Sequence, residues 1–313
     1  MNSFVLPNYV NKLGDRILVP GFNKVLLLEH KKSGLSFREA AQRLKTSPAT
    51  YAHYLHGRTS CSIKMLKKFC ELYDCNLLEK AFNGNFAFSG RNKEINLPRT
   101  LTLELAYYVG YLQGDGYLGS NGKRLGFTDE YRPQMEKLNS MTYRLFGKEG
   151  KVVGVRSPLS KKPCYNLEIK STVINSFLNT VFEIPKGIKQ NLAIPSIIAP
   201  KKELLRHYIA GLYDADGTLP KSPSKAKALF LDITLKDRAF VEEIKDALQT
   251  FDIKTLPIYK RNSVSPGSNK PSVTWELRIR RREHIFKFLQ EINFYHPEKA
   301  RRSKELEKLL KGL

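Results

Sequence analysis

Residues 108–116 read YVGYLQGDG and residues 209–217 read IAGLYDADG. The second stretch repeats the first, so two copies of one unit are present. The repetition extends downstream, where YNLEIK at 165–170 matches WELRIR at 275–280 position for position. Both hexapeptides alternate apolar with polar residues, the pattern of a strand with one buried and one polar face. Between these anchors the first copy has a strand near Tyr117, another at 124–129 across an Asn121-Gly122 turn, a helix at 132–146, strands at 151–156 and 163–170, and a helix at 171–181. The second has strands at 228–235, 255–260 and 272–280 and helices at 238–251 and 282–291. Each half reads as αββαββα, and the fold class is α+β, with one unit over 100–200 and the other over 201–313. Antiparallel sheets of this kind bury one face under helices and leave the other open to solvent or ligand.

The repeated stretch also carries the chemistry. Gly110 and Gly114 lie four apart on one helix face, as do Gly211 and Ala215. Small residues at that spacing let two helix backbones approach closely, so the two copies are expected to pair along this seam. Each helix then ends at Asp-Gly, Asp115-Gly116 and Asp216-Gly217, where the glycine suits a left-handed helix stop. A carboxylate at a helix C-terminus opposes the macrodipole at a cost of about 0.3–1 kcal/mol. Two such acids at adjacent helix ends, with the free carbonyls of Gly114 and Ala215, would make a hard-oxygen cluster for Mg²⁺ or Mn²⁺, which binds one or two carboxylates plus a substrate phosphate. Metal-assisted phosphodiester hydrolysis is the chemistry such a cluster serves.

At this point the sequence resembles the LAGLIDADG homing endonucleases in their two-motif, single-chain form, over residues 98–313. The second motif matches almost letter for letter, and the flanking LPRTLTLELAYYVGYLQGDGYL and IPKGIKQNLAIPSII resemble the family too. The resemblance implies two pseudo-symmetric units whose sheets form a saddle over the major groove of double-stranded DNA. It implies that Asp115 and Asp216 hold metal near the scissile phosphates and that both strands are cut, leaving short 3′ overhangs. It also suggests a basic residue beside the site after each sheet unit, for which Lys189 and Lys299 are the nearest matches. Gln113 stands where the second copy has Asp214, and neither is assigned to catalysis. Strand alternation nominates Asn166, Glu168, Lys170, Glu276, Arg278 and Arg280 for DNA contact, opposite the core residues Tyr165, Leu167, Ile169, Trp275, Leu277 and Ile279. Lys260, Arg261 and the loop 263–271 would track the backbone. Glu168 against Arg278, like Gln113 against Asp214, makes the halves inequivalent, so the expected target is only partly palindromic.

The first 80 residues follow another pattern. Helices are expected at 23–32, 36–44, 48–56 and 63–73, with Ser36 and Glu39 forming a capping box and Pro48 in a first turn. SFREAAQRLKTSPATYAHYLHGRTS resembles a repressor-type helix-turn-helix, its second helix offering Thr50, Tyr51 and His53 to DNA. A small all-α domain over 1–80 and a linker over 81–99 are expected, the latter because its turn formers show no sustained period.

At 313 residues the chain is long enough for two or three domains, and its 41% hydrophobic and 27% charged residues are ordinary for a folded protein. The 53 Lys+Arg against 30 Asp+Glu give a formal charge of +23, which points to a polyanion partner. No stretch approaches the ~20 apolar residues of a spanning helix, and the start lacks a signal-peptide pattern, so an intracellular place and no membrane partner are expected. The four cysteines lack CxxC spacing and read as small buried hydrophobes. The six histidines sit singly and no GKS/T loop occurs, which reads against a histidine-metal nuclease and against nucleotide-driven chemistry. Met1 in place of a nucleophile and a terminal KGL read against self-splicing. Two alternatives stand beside the nuclease: a non-cleaving transcription regulator on the same fold, and an RNA maturase assisting an intron. A monomer with internal pseudo-twofold symmetry is expected.

Overall fold

The N-terminal module of the computed structural model packs helices α1 (Asn23–Ser33), α2 (Phe37–Arg43), α3 (Pro48–Leu55), α4 (Ile63–Tyr73) and α5 (Leu77–Asn83) around a core that includes Leu26, Ala40, Tyr51 and Phe69. Residues 4–90, 93–155, 163–264 and 271–312 are described, with backbone alone at 263 and 264. The Ser36–Glu39 capping box starts α2, and Ser47 starts α3 by accepting a hydrogen bond from the Thr50 amide at 3.0 Å. The module is not all-α. Strands β2 (Leu18–Val19), β3 (Cys61–Ser62), β4 (Phe88–Ser89) and β5 (Glu94–Ile95) form a small sheet in the order β3-β2-β4-β5, following the edge strand β1 (Phe4–Val5). Two-residue strands are too short to show alternation, and their partners are remote in sequence. The stretch expected as a linker contributes two of these strands and buries Phe88, Ile95 and Leu97.

The N-terminal module is tied to the first repeated unit. Strand β1 pairs with β6 (Thr100–Leu101), the Tyr9 ring meets the Phe177 ring edge-on at 5.0 Å, and the Gly14 amide donates to Ser176 Oγ at 3.0 Å.

The first unit runs α6 (Leu103–Gly114), β7 (Gly116–Leu118), β8 (Arg124–Asp129), α7 (Arg132–Phe146), β9 (Lys151–Val155), β10 (Cys164–Lys170) and α8 (Thr172–Phe182). The second runs α9 (Lys202–Asp216), β11 (Gly217–Thr218), β12 (Leu231–Leu235), α10 (Arg238–Gln249), β13 (Tyr259–Val264), β14 (Pro271–Ile279) and α11 (Arg282–Glu291), then a tail helix α12 (Pro297–Lys311). Both sheets are antiparallel and share one strand order, β7-β8-β10-β9 and β11-β12-β14-β13. The expected αββαββα series is present twice. Strand β13 begins four residues later than the pattern indicates, because Pro257 lacks the amide a ladder needs. Position 156 and most of the loop 263–271 lie outside the described residues.

Burial follows the alternation of the repeated hexapeptides except at Glu276. Leu167, Ile169, Leu277 and Ile279 are fully buried, while Tyr165 and Trp275 are half-buried, with Arg238 lying over the Trp275 ring at 5.0 Å. The helices α6 and α9 cross at the glycines. A Cβ at Gly110 would fall into the carbonyl of Tyr208, and one at Gly211 into the carbonyl of Tyr107. Of the cysteines only Cys61 is buried; the other three are half-exposed thiols.

Candidate active site

The crossing of α6 and α9 fixes where the two acids sit. Asp115 closes α6 and Asp216 closes α9, so both carboxylates emerge at the same end of the seam, and Asp216 Oδ2 lies just 3.0 Å from where a Gly114 Cβ would be. Neither carboxylate has a hydrogen bond or ion pair among the described residues. Burial and the facing Asp216 charge push Asp115 up to about 7, and burial also raises Asp216. The charges of Lys189 and Lys299 oppose this rise without cancelling it.

The glycines after the acids do not serve as left-handed stops. The backbone leaves Asp216 extended at Gly217, with φ −73° and ψ 150°, and Gly116 is absent from the positive-φ residues. What requires glycine is space: a Cβ at Gly116 would lie 2.7 Å from Leu112 Cα, and one at Gly217 would lie 2.5 Å from the Tyr213 carbonyl. The strand turns back against the last helical turn too tightly for any side chain.

Lys189 and Lys299 come to the two helix ends. Lys189 Nζ donates to the carbonyls of Gln113, at 2.9 Å, and Gly114. Lys299 Nζ donates to those of Tyr213, Asp214, Ala215 and Gly217 at 2.6–3.1 Å. An ammonium at a helix C-terminus satisfies otherwise unpaired carbonyls and offsets the macrodipole. Burial holds both lysines below their ordinary range, and the neighbouring acids pull the other way.

Gln113 and Asp214 do parallel work with different chemistry. Tyr208 Oη donates to Gln113 Oε1, and Tyr107 Oη donates to Asp214 Oδ2 at 2.7 Å, each tyrosine reaching across the seam. Gln113 Nε2 then donates to the Ala193 carbonyl at 3.0 Å, whereas Asp214 Oδ2 accepts from the amides of Tyr295 and His296 at 2.9 and 2.6 Å. Each side chain thus anchors the segment that delivers its lysine.

Sequence patterning does not single out Asp129 and His296, yet the fold puts both at the site. Asp129 Oδ2 accepts from Tyr111 Oη at 2.6 Å and lies 3.3 Å from His296 Nε2. Burial raises this acid, but the His296 and Tyr111 hydrogen bonds outweigh it and hold the carboxyl below its usual value. Both residues line a cleft of about 820 Å³ with Asp115, Lys299 and Arg302. Asp129 closes an alternating strand and His296 precedes Pro297 as a helix cap, and neither position carries a local signal of the other.

The DNA-facing nominees divide. Lys170 and Arg280 are exposed; Asn166 and Glu168 are half-buried, with Glu168 paired to Arg124 at 3.2 Å. Glu276 is not free to read a base, being 5% exposed and ion-paired with Arg261 and, at 2.7 Å, Arg278. Arg278 also meets Asp232 at 3.1 Å. Lys260 pairs in register with Trp275 and Tyr259 with Glu276, so Lys260 lies on the opposite side of its strand from the open face. In the N-terminal module His53 is exposed and Thr50 half-exposed, but Tyr51 is fully buried, hydrogen-bonded to His30 Nδ1 at 2.7 Å and Tyr73 Oη at 2.5 Å. Tyr51 is a core residue, because it falls on the apolar stripe with Leu55.

The donor set at the seam suits a hard divalent cation: two unpartnered carboxylates, and the Gly114 and Ala215 carbonyls, each keeping a second lone pair beside its lysine. No cluster of three or more His, Cys, Asp or Glu side chains occurs among the described residues.

Residues 203–293 match a LAGLIDADG-like domain. The first unit repeats its topology strand for strand, and residues 30–81 match the model of a helix-turn-helix domain. The chain is 26% identical over 249 residues to the glutamine–fructose-6-phosphate aminotransferase of Methanocaldococcus jannaschii, covering 79% of this chain and 21% of that protein. It is 31% identical over 224 residues to the tRNA-splicing ligase RtcB of Pyrococcus furiosus, covering 62% and 21%. The chain thus spans about a fifth of the length of these relatives. Among solved structures, variants of the homing endonuclease I-DmoI are similar at TM-score 0.41 and 18% identity, covering 61% of this chain and 94% of that one. Full-length WhiA from Thermatoga maritima is similar at TM-score 0.45 and 14% identity, covering 67% and 61%.

Proposed function

We propose that the chain is a site-specific endonuclease that hydrolyses one phosphodiester on each strand of a long, partly palindromic DNA duplex, leaving 3′ overhangs. The observation that carries this reading is the pair Asp115 and Asp216, brought to one end of a glycine-lined helix crossing with no hydrogen-bond donor to neutralise them among the described residues. Asp115 and Asp216, with the carbonyls of Gly114 and Ala215, would hold Mg²⁺ or Mn²⁺, which supplies an activated water and charge neutralisation at phosphorus. Lys189 and Lys299 hold the helix ends in place and leave positive charge beside the scissile phosphates, where it favours the more highly charged transition state. The open sheet faces and the net charge of +23 supply the duplex-binding surface. The protein acts as a monomer inside the cell. The activities after which the two sequence relatives are named are not proposed, since the match spans about a fifth of each.

The experiment is selection of cleaved duplexes from a randomised library with Mg²⁺ or Mn²⁺, followed by assay of Asp115→Asn and Asp216→Asn on the selected site. Each variant is expected to lose double-strand cleavage by at least about 10³-fold while still binding. If both variants cut normally, the site is wrong. If the wild type binds duplexes and cuts none, the helix-turn-helix match at 30–81 favours a non-cleaving DNA-binding regulator. Binding confined to intron RNA would favour the maturase reading.

A further inference from the structure

Where the N-terminal module meets the first unit there is a second cleft, of about 640 Å³, lined by different chemistry from the seam. Arg16 and Lys93 line it from the module, and Lys123, Lys148, Lys170 and Lys186 from the first unit. Asp15 is the single acid among its lining residues, and it is already paired with Lys67 at 2.9 Å. Of the six cations only Lys170 has an acid within 4 Å, Glu168 at 3.8 Å, among the described residues. Burial and the neighbouring Lys93 charge push Lys148 below its ordinary value. Such a concentration of unpaired positive charge costs stability by self-repulsion and is relieved by an anion.

The shape indicates which anion. Lys148 is half-buried and the other five cations are exposed, so they are spread along an open cleft rather than converging on one enclosed point. That arrangement suits a string of phosphates. The cleft is also continuous with the open face of the first sheet: Lys170 lies in register with Arg124 at the end of β10, and both belong to the sheet's solvent side. Its two walls are held at fixed spacing by the β1–β6 pairing, the Tyr9–Phe177 contact and the Gly14–Ser176 hydrogen bond.

We infer that this cleft grips the sugar–phosphate backbone of duplex DNA beyond the end of the first sheet, making the N-terminal module and the first unit one continuous backbone track. The inference rests on the double-stranded DNA reading above. It extends the footprint on the first unit's side only, since the N-terminal module docks on that unit.

The test uses the full chain, a random-sequence duplex of about 40 base pairs and no divalent metal, with affinity measured across a salt series. Neutralising K93Q/K148Q/K186Q is expected to lower the slope of log K against log salt by about 2 to 3, at ~0.9 per phosphate contact, and to weaken binding roughly 10- to 100-fold. The charge-preserving K93R/K148R/K186R is expected to keep the wild-type slope. The equally discharged K202Q/K254Q/K304Q, at exposed positions off the sheet faces, is expected to change it far less. An unchanged slope in the first variant overturns the inference and leaves the nuclease reading standing; so does an equal loss in the distant triple, which would be a net-charge effect. Loss of the slope in the arginine variant would also overturn it, by pointing to shape rather than charge. A loss seen with an RNA hairpin but not with the duplex overturns it in favour of RNA. Failure of the wild type to bind any duplex overturns both readings together.

Discussion

The two halves meet the same requirement with unequal means. At the end of α6 the helix carbonyls are capped by Lys189 through two hydrogen bonds, and the segment carrying that lysine is held at three successive residues, by Gln113 donating to the Ala193 carbonyl and by the Asp237 and Glu243 carboxylates accepting from the Leu192 and Ile194 amides at 3.1 and 2.8 Å. At the end of α9 the three N–H groups of Lys299 are shared among four carbonyls, and its segment is held by a buried carboxylate accepting two backbone amides and the Tyr107 hydroxyl. Hydrogen bonds to a charged group contribute roughly twice what neutral ones do. Each segment thus has two amides bonded to carboxylate, but the second half draws both from one acid at the seam, Asp214, while the first takes them from Asp237 and Glu243 of the other unit; the second also reaches across the seam, through His296, to Asp129 of the first. The symmetry of the repeat is kept where backbones touch, at Gly110 and Gly211, and relaxed where only the anchoring of a loop is at stake.

The contact that must stay symmetric gives the largest expected effect. Gly110→Val and Gly211→Val each place a branched side chain inside the opposing helix's carbonyl, and neither helix can retreat without opening the core on its outer side. Each is expected to cost more than about 4 kcal/mol and to leave little soluble folded protein. Thermal melts and expression yield check this; tolerance of either valine would mean that the helices do not cross where the structure has them.

The anchoring residues come next and should separate the halves. Asp214→Ala strands two buried amides and a tyrosine hydroxyl, for an expected loss of about 3 to 5 kcal/mol, whereas Gln113→Ala frees one carbonyl and one hydroxyl, for about 1 to 3 kcal/mol. Chemical denaturation of both variants measures the gap. Equal losses would mean that the buried acid at the seam anchors its segment no more strongly than the amide does.

A smaller gap is expected at the lysines. Lys299→Met abandons four carbonyls and Lys189→Met two, and methionine keeps most of the packing volume. The expected destabilisation is about 2 kcal/mol or more for the first and about 1 for the second. Metal-dependent cleavage should fall in both variants if the lysines stand beside the phosphates, and in neither if they only cap helices.

Which of these features can be read from the chain depends on how locally each is encoded. The repeated motif states the seam, because Gly110/Gly114 and Gly211/Ala215 fall on one helix face by spacing alone, and the alternation of 165–170 and 275–280 states which side of each sheet is core. Tyr51 defeats the pattern because its position in a helix-turn-helix says nothing of which stripe it occupies, and here it shares the buried one with Leu55. Glu276 defeats it for a different reason: alternation puts it on the open face, but its burial comes from Arg261 and Arg278 folding over it. Asp129 and His296 are 167 positions apart and meet only after both units have folded. The role of Gly116 and Gly217 turns on close approach rather than on dihedral freedom, and a sequence shows the residue without showing which of the two properties is used.

The smallest effect tests whether the acids at the seam are a cation site at all. Asp115 is pushed up to about 7 in the fold, against an ordinary aspartate value of 3.8. Between about pH 4 and 7 the unfolded chain has released this proton while the folded one keeps it, so without metal stability falls as pH rises through that window and is flat beyond it. Asp115→Asn removes one of the two raised acids at the seam and should make the profile shallower, with Asp216 left to titrate, raising stability at pH 7 by about 1 to 2 kcal/mol once solvent screening is allowed for. Mg²⁺ should have the complementary effect on the wild type: it binds the deprotonated acid, so the stabilisation it gives should grow with pH across the same window and be absent in the asparagine variant. Melting curves at four or five pH values, with and without Mg²⁺, measure both. A wild type whose metal-free stability rises from pH 5 to 7, or an asparagine variant stabilised by Mg²⁺ as strongly as the wild type, would break the reading of Asp115 as half of a metal site and leave Asp216 to be explained alone.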